Sequence, residues 1–348
     1  PSGPQLSENP LAVCRQAEKE GRNIEEYITS LMKSNELSIA SEDPDNPKNF
    51  PRNLFVWRSN LLGSSAKGME YFMKHLLGTQ NSVLGGDLKS QGAQLPTEVK
   101  WHDQAPEGKL DLLVTLDYRM STTALHSDII LPAATWYEKD DLSTSDMHPF
   151  IHPFSKAVDP LWESRSDWDI FKGLAEKFSE LVPGHLGKEK DVVLLPLQHD
   201  TPMEISETSE ALGWKEPGLE PKPGKNMPKI IEVVRDYPET YNRYTTLGPL
   251  MEKAGNGSKG ISWNTVDEVG FLKKLNLTSG HVGETNGLVK IETPIQAAEV
   301  ILTLAPETNG HVAIKAWEAL EKTTGRSHRH LAEGRKEEKI RFADLLRQ

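Results

Sequence analysis

The sequence predicts an α/β fold with a mainly parallel sheet and flanking helices, followed by a mixed, mostly helical extension. Three short apolar runs have the length and composition of buried strands, at residues 53–57, 112–116 and 128–132. Polar loops and amphipathic helical segments separate them. Continuous apolar strands that alternate with helices are typical of a parallel sheet that is covered on both faces.

The composition divides the chain into three regions. Residues 1–50 are expected to form a helical lead-in, because apolar residues recur at helical spacing up to the turn sequence at 43–47. Residues 51–200 contain the three strands and are expected to form an α/β dinucleotide-binding domain. Residues 201–348, where proline- and glycine-rich stretches separate short amphipathic helices, are expected to be a helical and loop extension.

Local signals place further elements in the middle region. Apolar residues on one side indicate a helix over Lys67–Leu77, with Ser64 or Ser65 as its N-terminal cap and Gly78 as its stop. Another helix begins at Ser166, where Ser166 and Asp169 resemble a capping box. The remaining expectations are a short helix at 121–127, a long loop at 133–160 and a strand at 192–195.

Composition also excludes several classes of function. A formal net charge of −11 makes nucleic acid an unsuitable partner, because its phosphates would be repelled. The single cysteine, Cys14, can form neither an internal disulfide nor a thiolate cage for zinc or iron–sulfur. No apolar run reaches the roughly 20 residues that span a bilayer, so we expect a soluble protein. Both ends of the sequence look cut, which predicts a fragment of a longer protein.

The loop after the first strand is the first candidate site. Trp57, Arg58, Ser59 and Asn60 follow the strand, and Ser64 lies near the start of the next helix. In open α/β sheets, ligands bind in the crevice at the carboxyl ends of the strands, where helix N-termini suit phosphate. The loop is not a Walker A motif. Taken alone, it is better explained as an ordinary strand-to-helix turn.

The second candidate is Asp117, directly after the second strand. Its carboxylate could accept two hydrogen bonds from the edge of a guanine base, or bonds from ribose hydroxyls. The alternative is that Asp117 caps the helix near Ser121. Thr122 is either a further donor or an ordinary helix residue.

Residues beyond the third strand complete the candidate site. Trp136 offers a flat apolar face for a ring system, and Lys139 offers a point charge for a phosphate or pterin oxygen. The alternative is a surface turn with solvated charges around one buried tryptophan. Three successive strand ends that carry such groups favour a shared ligand site. The histidine pairs at 148/152 and 328/330 are expected to be structural or solvated, since no carboxylate or cysteine has metal-site spacing with them.

Several motifs resemble the alpha subunit of the respiratory, membrane-associated nitrate reductases, which belong to the molybdopterin oxidoreductase family. They are PRNLFVWRSNLLGSS at 51–65, GKLDLLVTLD at 108–117, SDIILP at 127–132, TWYEKDD at 135–141 and TSDMHPFIHP at 144–153. The resemblance covers essentially the whole chain and marks it as an internal fragment of that subunit.

The resemblance implies a molybdenum-bis(molybdopterin guanine dinucleotide) cofactor, at which nitrate is reduced to nitrite. Electrons would arrive from an iron–sulfur beta subunit, and a membrane gamma subunit would oxidise quinol. The alpha subunit would be membrane-associated in this complex, on the cytoplasmic face. The full subunit would also hold a 4Fe-4S cluster, which this chain cannot ligate. By this resemblance the following residues would line a dinucleotide site: Trp57, Arg58, Ser59, Asn60, Ser64, Asp117, Thr122, Trp136, Lys139 and Asp167. Asp167 could instead act only on a helix dipole.

The resemblance assigns no catalytic residue and no metal ligand to this chain. We therefore expect the isolated chain to be inactive and to need the remainder of the alpha subunit. Two alternatives stay open. The chain could be a structural segment that packs on the rest of the subunit and on the beta subunit. It could also belong to a related molybdoenzyme that acts on selenate or chlorate.

Overall fold

The computed structural model describes residues 5–64, 68–79, 107–145, 147–195, 218, 220–258, 260–276, 280–282 and 285–345. The chain divides into two compact units. Unit 1 comprises Pro1–Thr115, Met120–Ile130 and Lys188–Arg235, and unit 2 comprises Leu116–Arg119, Leu131–Gly187 and Asp236–Gln348. Each unit has its own apolar core.

Unit 1 begins with the two helices that the sequence predicts, α1 (Pro10–Lys19) and α2 (Ile24–Lys33). Asn9 and Asn23 cap them by accepting backbone N–H bonds. Their apolar sides form one core with residues of β6 (Lys188–Leu195) and β7 (Lys229–Asp236). The strand expected at 192–195 is confirmed, but it pairs with β7 in a separate two-stranded sheet.

The three predicted strands form a parallel sheet in the order β1 (Asn53–Trp57), β2 (Leu112–Asp117) and β3 (Ile129–Pro132). The parallel sheet expected from the apolar runs is therefore confirmed for these strands. Two short helices follow β1 and β2, namely α3 (Leu61–Ser64) and α5 (Thr122–Leu125).

The helix expected over 67–77 is only partly regular. Among its described residues, α4 (Met69–Tyr71) continues into a π-helical turn at Phe72–Leu76. Gly78 ends the segment with φ 71°, as the predicted stop requires. Residue 65, one of the two expected caps, lies outside the described residues.

Unit 2 corrects one expectation. The stretch at 133–160 is not a long loop, because β4 (Asp141–Ser145) and β5 (His148–Phe154) form an antiparallel hairpin within it. Pro149 and Pro153 lie in β5. Each strand of a two-stranded sheet has a free edge, and proline is tolerated there because its missing N–H leaves no ladder bond unmade.

The helix predicted from Ser166 is confirmed as α6 (Asp167–Leu181). The Ser166 hydroxyl accepts the Asp169 N–H at 3.1 Å, which satisfies a backbone donor of the first turn. The first turn of α6 follows the carboxyl side of β3, because Arg165 donates its N–H to the Pro132 carbonyl.

The rest of unit 2 mixes helices with short strands. In order these are α7 (Thr240–Tyr244), β8 (Thr246–Leu247), α8 (Leu250–Ala254), β9 (Asn256–Ser258), β10 (Ile261–Trp263), α9 (Val266–Asn276), β11 (Gly280–Val282), β12 (Thr285–Lys290), α10 (Pro294–Leu304), α11 (Gly310–Thr324), α12 (His330–Glu333) and α13 (Phe342–Leu345). Val269, Leu272, Val289 and Val300 lie in its main core. No helix among the described residues is both long enough and apolar enough to cross a bilayer.

Candidate functional site

Asn60 organises the loop after β1. Its side-chain oxygen Oδ1 accepts the Gly63 N–H at 3.0 Å, the Thr123 N–H at 3.2 Å and the Thr123 hydroxyl at 3.1 Å. The Thr123 hydroxyl in turn accepts the buried N–H of Leu62. These bonds fix the β1 loop to the helix after β2. Three donors saturate Oδ1, so a bond from the Asn60 side chain to a ligand would have to come from Nδ2.

Gly63 lets the β1 loop close tightly. A Cβ at Gly63 would lie 2.3 Å from Nδ2 of Asn60 and 2.9 Å from Oγ1 of Thr122. The Ser64 hydroxyl donates to the Asn60 carbonyl at 2.6 Å. The structure thus brings together Asn60, Ser64 and Thr122, which the sequence proposed for one site. Ser64 ends α3, so the prediction that it caps the following helix is wrong.

Two more proposed residues flank this network. Trp57 is 55% exposed, and Arg58 has φ 53°. Left-handed backbone is uncommon outside glycine, and such outliers cluster at ligand-binding sites. Ser59, which is partly buried, lies between Arg58 and Asn60.

Asp117 ends β2 and is nearly buried. Its Oδ1 accepts the N–H groups of Tyr118 at 2.7 Å and Arg119 at 3.2 Å, which holds the carboxylate in one orientation. Ser121 caps α5 by accepting the Ala124 N–H. The helix-cap alternative for Asp117 is therefore wrong.

Two aromatic rings and a cation lie next to Asp117 in unit 2. The rings of Tyr118 and Trp136 are 5.3 Å apart, and the Arg119 guanidinium lies 5.1 Å from the Tyr118 ring centre. Trp136 is 47% exposed. The sequence reading missed Tyr118 and Arg119, although their position directly after Asp117 at a strand end was a usable signal.

Lys139 forms an ion triad with the nearly buried Asp167 and with Asp141, whose side chain is 41% exposed. Its ammonium lies 2.6 Å from Asp141 and 2.7 Å from Asp167, and its side chain is 1% exposed. The alternative of solvated charges around a buried tryptophan is therefore wrong, because Lys139 is buried and Trp136 is half exposed. Two carboxylates already neutralise the ammonium. Lys139 consequently fixes the position of Asp167 at the start of α6, and it supplies little spare positive charge for a phosphate.

A cavity of about 500 Å³ adjoins this triad within unit 2. Its walls include the cations Lys139, Lys156, Arg165 and Lys172, together with the acids Glu138, Asp140, Asp169 and Glu176. The volume lies in the range of small-molecule and cofactor sites. The mixed charges favour a ligand with both donors and acceptors over a simple anion.

The environments of Glu138 and Cys14 shift their pKa values in opposite directions. Hydrogen bonds from the Thr135 N–H and hydroxyl hold the pKa of Glu138 below its ordinary value. Burial, reinforced by Asp191, raises the pKa of Cys14 to about 11, so its thiol stays protonated near neutral pH.

His148 and His152 meet on β5 with rings 5.3 Å apart, a contact that the sequence did not predict.

Two family models match the chain. Residues 7–177 match molybdopterin oxidoreductase, and residues 254–348 match nitrate reductase alpha chain, domain V. These matches, with the parallel sheet, define the class of protein as the molybdopterin oxidoreductases.

Curated relatives define the chain more narrowly. The respiratory nitrate reductase 2 alpha chain of Escherichia coli (strain K12) is 59% identical over 348 residues, which is 100% of this chain and 28% of the relative. The nitrate reductase alpha chain of Bacillus subtilis (strain 168) is 48% identical over 100% of this chain and 29% of the relative. The perchlorate reductase subunit alpha of Dechloromonas aromatica (strain RCB) is 31% identical over 48% of this chain and 14% of the relative.

The chain belongs to the nitrate reductase alpha chains of the molybdopterin oxidoreductase family. It spans about 28% of the length of the curated relatives from Escherichia coli.

Proposed function

We propose that this chain holds part of the molybdenum-bis(molybdopterin guanine dinucleotide) cofactor in a subunit that reduces nitrate to nitrite. The names of the relatives support the activity, and the geometry around Asp117 supports the part played by this chain. The subunit would work with an iron–sulfur beta subunit and, through it, with a membrane gamma subunit. In this complex it would be membrane-associated on the cytoplasmic face. The cofactor supplies the redox chemistry, while this chain binds and orients it.

Asp117 is the observation that carries the proposal. One of its oxygens is engaged by two backbone amides, so the carboxylate is oriented before any ligand binds. A guanine edge offers two N–H donors, which match a carboxylate acceptor. The rings of Tyr118 and Trp136 lie nearby for stacking, and Arg119 adds a cation. The donor and acceptor set therefore fits a guanine nucleotide.

The β1 loop supports binding of the more polar parts of the dinucleotide. Arg58 is a cation on a left-handed backbone, and Ser59 and Ser64 carry hydroxyls. Asn60 keeps the loop closed through its Oδ1 and can donate only from Nδ2. Thr122 packs beside Gly63 in the same network. We assign Trp57 a stacking role because its exposed indole begins this loop.

Lys139 and Asp167 enter the proposal as a positioning pair. Their ion pair is buried, so it sets the start of α6 beside the cavity. The Asp167 carboxylate accepts from Lys139 through Oδ2 at 2.7 Å. Breaking the pair would disturb the cavity wall without removing a direct charge contact to phosphate.

The test is Asp117→Asn in the full-length alpha subunit. The amide still accepts the Tyr118 and Arg119 N–H bonds, so the fold is kept, but its second oxygen is replaced by a donor that opposes the guanine N–H groups. Acid treatment of the purified subunit releases the guanine nucleotide of its cofactor. We expect the amount of this nucleotide per subunit, and the molybdenum content per subunit, to fall at least tenfold. Asp111→Asn is the matched control, since Asp111 pairs with Arg52 at the surface. Equal cofactor content in wild type and Asp117→Asn would contradict the assignment.

The support for nitrate as the substrate comes from the names of the relatives. The perchlorate reductase relative shares 31% identity over 48% of this chain, so the segment recurs where another oxyanion is reduced. This favours cofactor binding, and not substrate selection, as the role of the chain. We expect the isolated 348-residue chain to reduce neither nitrate nor chlorate after metal loading. Turnover by the isolated chain would contradict this.

A further inference from the structure

Trp162 in unit 2 combines two uncommon properties. Its side chain is 96% exposed, and its backbone φ is 53°. Left-handed backbone is unfavourable for a bulky residue, because its Cβ comes too close to the following carbonyl oxygen. Such strain persists where surrounding structure or function requires it. Trp162 belongs neither to the core of unit 2 nor to the proposed cofactor residues, so neither explains its left-handed backbone.

The loop that carries Trp162 is fixed on both sides. Before it, Lys156 donates its N–H to Asp140 at 2.9 Å, and Leu161 donates its N–H to Glu138 at 3.3 Å. After it, the Ser164 hydroxyl donates to the Leu161 carbonyl at 2.6 Å, and Arg165 donates its N–H to Pro132 at 3.1 Å. Trp162 is therefore presented at a defined position, which lowers the entropy lost on contact with a partner surface.

Three further exposed apolar residues belong to the same surface. Tyr137 is 73% exposed, Val158 is 56% exposed and Leu161 is 58% exposed. Val158 donates its N–H to the Tyr137 carbonyl. Leu161 donates its N–H to Glu138, the residue after Tyr137, so Leu161 also lies close to Tyr137. We call Tyr137, Val158, Leu161 and Trp162 the Trp162 patch.

Lys156 and Glu138, beside the patch, are engaged within the chain. Lys156 pairs with Asp159 at 2.7 Å. The Glu138 carboxylate accepts from the Thr135 N–H, the Thr135 hydroxyl and the Leu161 N–H. The exposed aromatic rings are therefore the main recognition element of the patch. Buried aromatic anchors with a polar rim are typical of specific interfaces.

The length of the relatives indicates what covers the patch. In the Escherichia coli relative, the matching segment is 28% of the chain, so it belongs to a polypeptide more than three times as long. We propose that the Trp162 patch is an interface within the alpha subunit, covered by an apolar segment of the remaining alpha chain. This inference concerns packing and does not depend on cofactor binding by Asp117, so the two can fail separately.

Hydroxyl-radical footprinting of the full-length alpha chain tests the occupant. The oxidation rate of Trp162 is read from its peptide by mass spectrometry and divided by the rate in the same chain unfolded in denaturant. We expect at least tenfold slower oxidation in the folded alpha chain without its partner subunits and without cofactor. A rate close to that of the unfolded chain overturns the proposal. Protection that arises only with the other subunits, or only with cofactor, also overturns it, because the occupant is then another molecule.

Variants give a second readout in the full-length alpha chain. Trp162→Gly suits the left-handed backbone and deletes the indole, while Trp162→Phe keeps an aromatic ring. We expect Trp162→Gly to lower the Tm by several degrees and Trp162→Phe to retain most of the wild-type Tm. Leu250→Ala, at a residue that is 72% exposed, gives the baseline for losing exposed apolar surface. An unchanged or raised Tm for Trp162→Gly overturns the proposal, since only relief of strain would then be seen.

Discussion

The β1 loop and the Lys139 triad are both held in place by polar side chains, but one uses neutral hydrogen bonds and the other uses ion pairs. Both fix the backbone that follows a strand of the parallel sheet. The β1 loop uses one neutral acceptor, Asn60, for three donors, whereas the Lys139 triad uses one buried cation for two carboxylates. A neutral network loses a few hydrogen bonds when it is cut, but loss of the Lys139 cation leaves the nearly buried carboxylate of Asp167 without its partner. The two regions should therefore respond differently to substitution and to pH.

The largest effect is expected for Lys139→Met in the full-length subunit. Removal of the cation leaves Asp167 and Asp141 together, and Asp167 is nearly buried. Breaking a buried ion pair from one side destabilises proteins by about 3–5 kcal/mol. Denaturant unfolding would measure the loss. The triple variant Lys139→Met, Asp141→Asn and Asp167→Asn should recover most of the lost stability. A free energy of unfolding of Lys139→Met within about 1 kcal/mol of wild type would contradict a stabilising role of the Lys139 charge.

Asn60→Ala should have a smaller effect on the neutral side of the comparison. It leaves the N–H groups of Gly63 and Thr123 and the Thr123 hydroxyl without their acceptor. Unsatisfied donors of this kind cost about 1–3 kcal/mol in total stability. Asn60→Asp keeps an acceptor at Oδ1 and serves as the control. If both variants unfold at the same denaturant concentration as wild type, Asn60 does not organise the loop.

Gly63→Ala sharpens the same side of the comparison. The new Cβ would lie 2.3 Å from Nδ2 of Asn60, so the amide must move. We expect a loss of about 1–3 kcal/mol, the usual range for inserting a methyl group into a packed site. Gly187→Ala is the matched control, because a Cβ there would meet nothing within 4 Å. Equal stability of the two variants would show that the β1 loop is less closely packed than described.

Ser166→Ala tests how far the triad depends on the helix that carries Asp167. Loss of the hydroxyl removes the cap of α6, which accepts the Asp169 N–H. Such a loss costs about 1 kcal/mol, and Ser166→Asp should retain the stability. Thermal unfolding of the two variants gives the comparison. A larger loss than that of Lys139→Met would reverse the order proposed for the charged region.

Acid should weaken the contribution of Glu138, the residue before Lys139, and leave that of the neutral β1 loop unchanged. The bonds from Thr135 lower the pKa of Glu138 in the folded state, so folding is favoured above the ordinary pKa of this carboxyl. This contribution is lost as the pH falls through the lowered value. The difference in stability between wild type and Glu138→Gln should therefore shrink between pH 5 and pH 3. Because Asn60 does not titrate, the effect of Asn60→Ala should stay constant over that range.

The strands and long helices could be predicted because their signals are local. The apolar runs of β1, β2 and β3 and the Ser166 cap are each contained in a few successive residues. The β4–β5 hairpin was missed for a local reason as well. Prolines usually break strands, and the sequence alone does not show that β5 lies at an edge.

The site was less predictable because its contacts join distant residues. Lys139 meets Asp167 across 28 positions, and Asn60 meets Thr123 across 63 positions. Position after a strand predicted that Lys139 and Asn60 belong to a site. It did not predict that two carboxylates neutralise Lys139 or that Oδ1 of Asn60 is saturated. Tyr118 and Arg119 follow Asp117 directly, but their position in the sequence does not reveal what their side chains contact. Their ring and cation contacts depend on how the chain turns after β2.

Hydrogen exchange in the full-length alpha chain tests the central claim most directly, because it locates the dinucleotide without any substitution. The peptides that cover 57–64 and 117–122 are compared before and after cofactor insertion. The proposed site predicts slower exchange of both peptides in the loaded chain, including the N–H groups of Tyr118 and Arg119. Unchanged exchange in both, with protection elsewhere in the subunit, would contradict a cofactor-binding role for these strand ends.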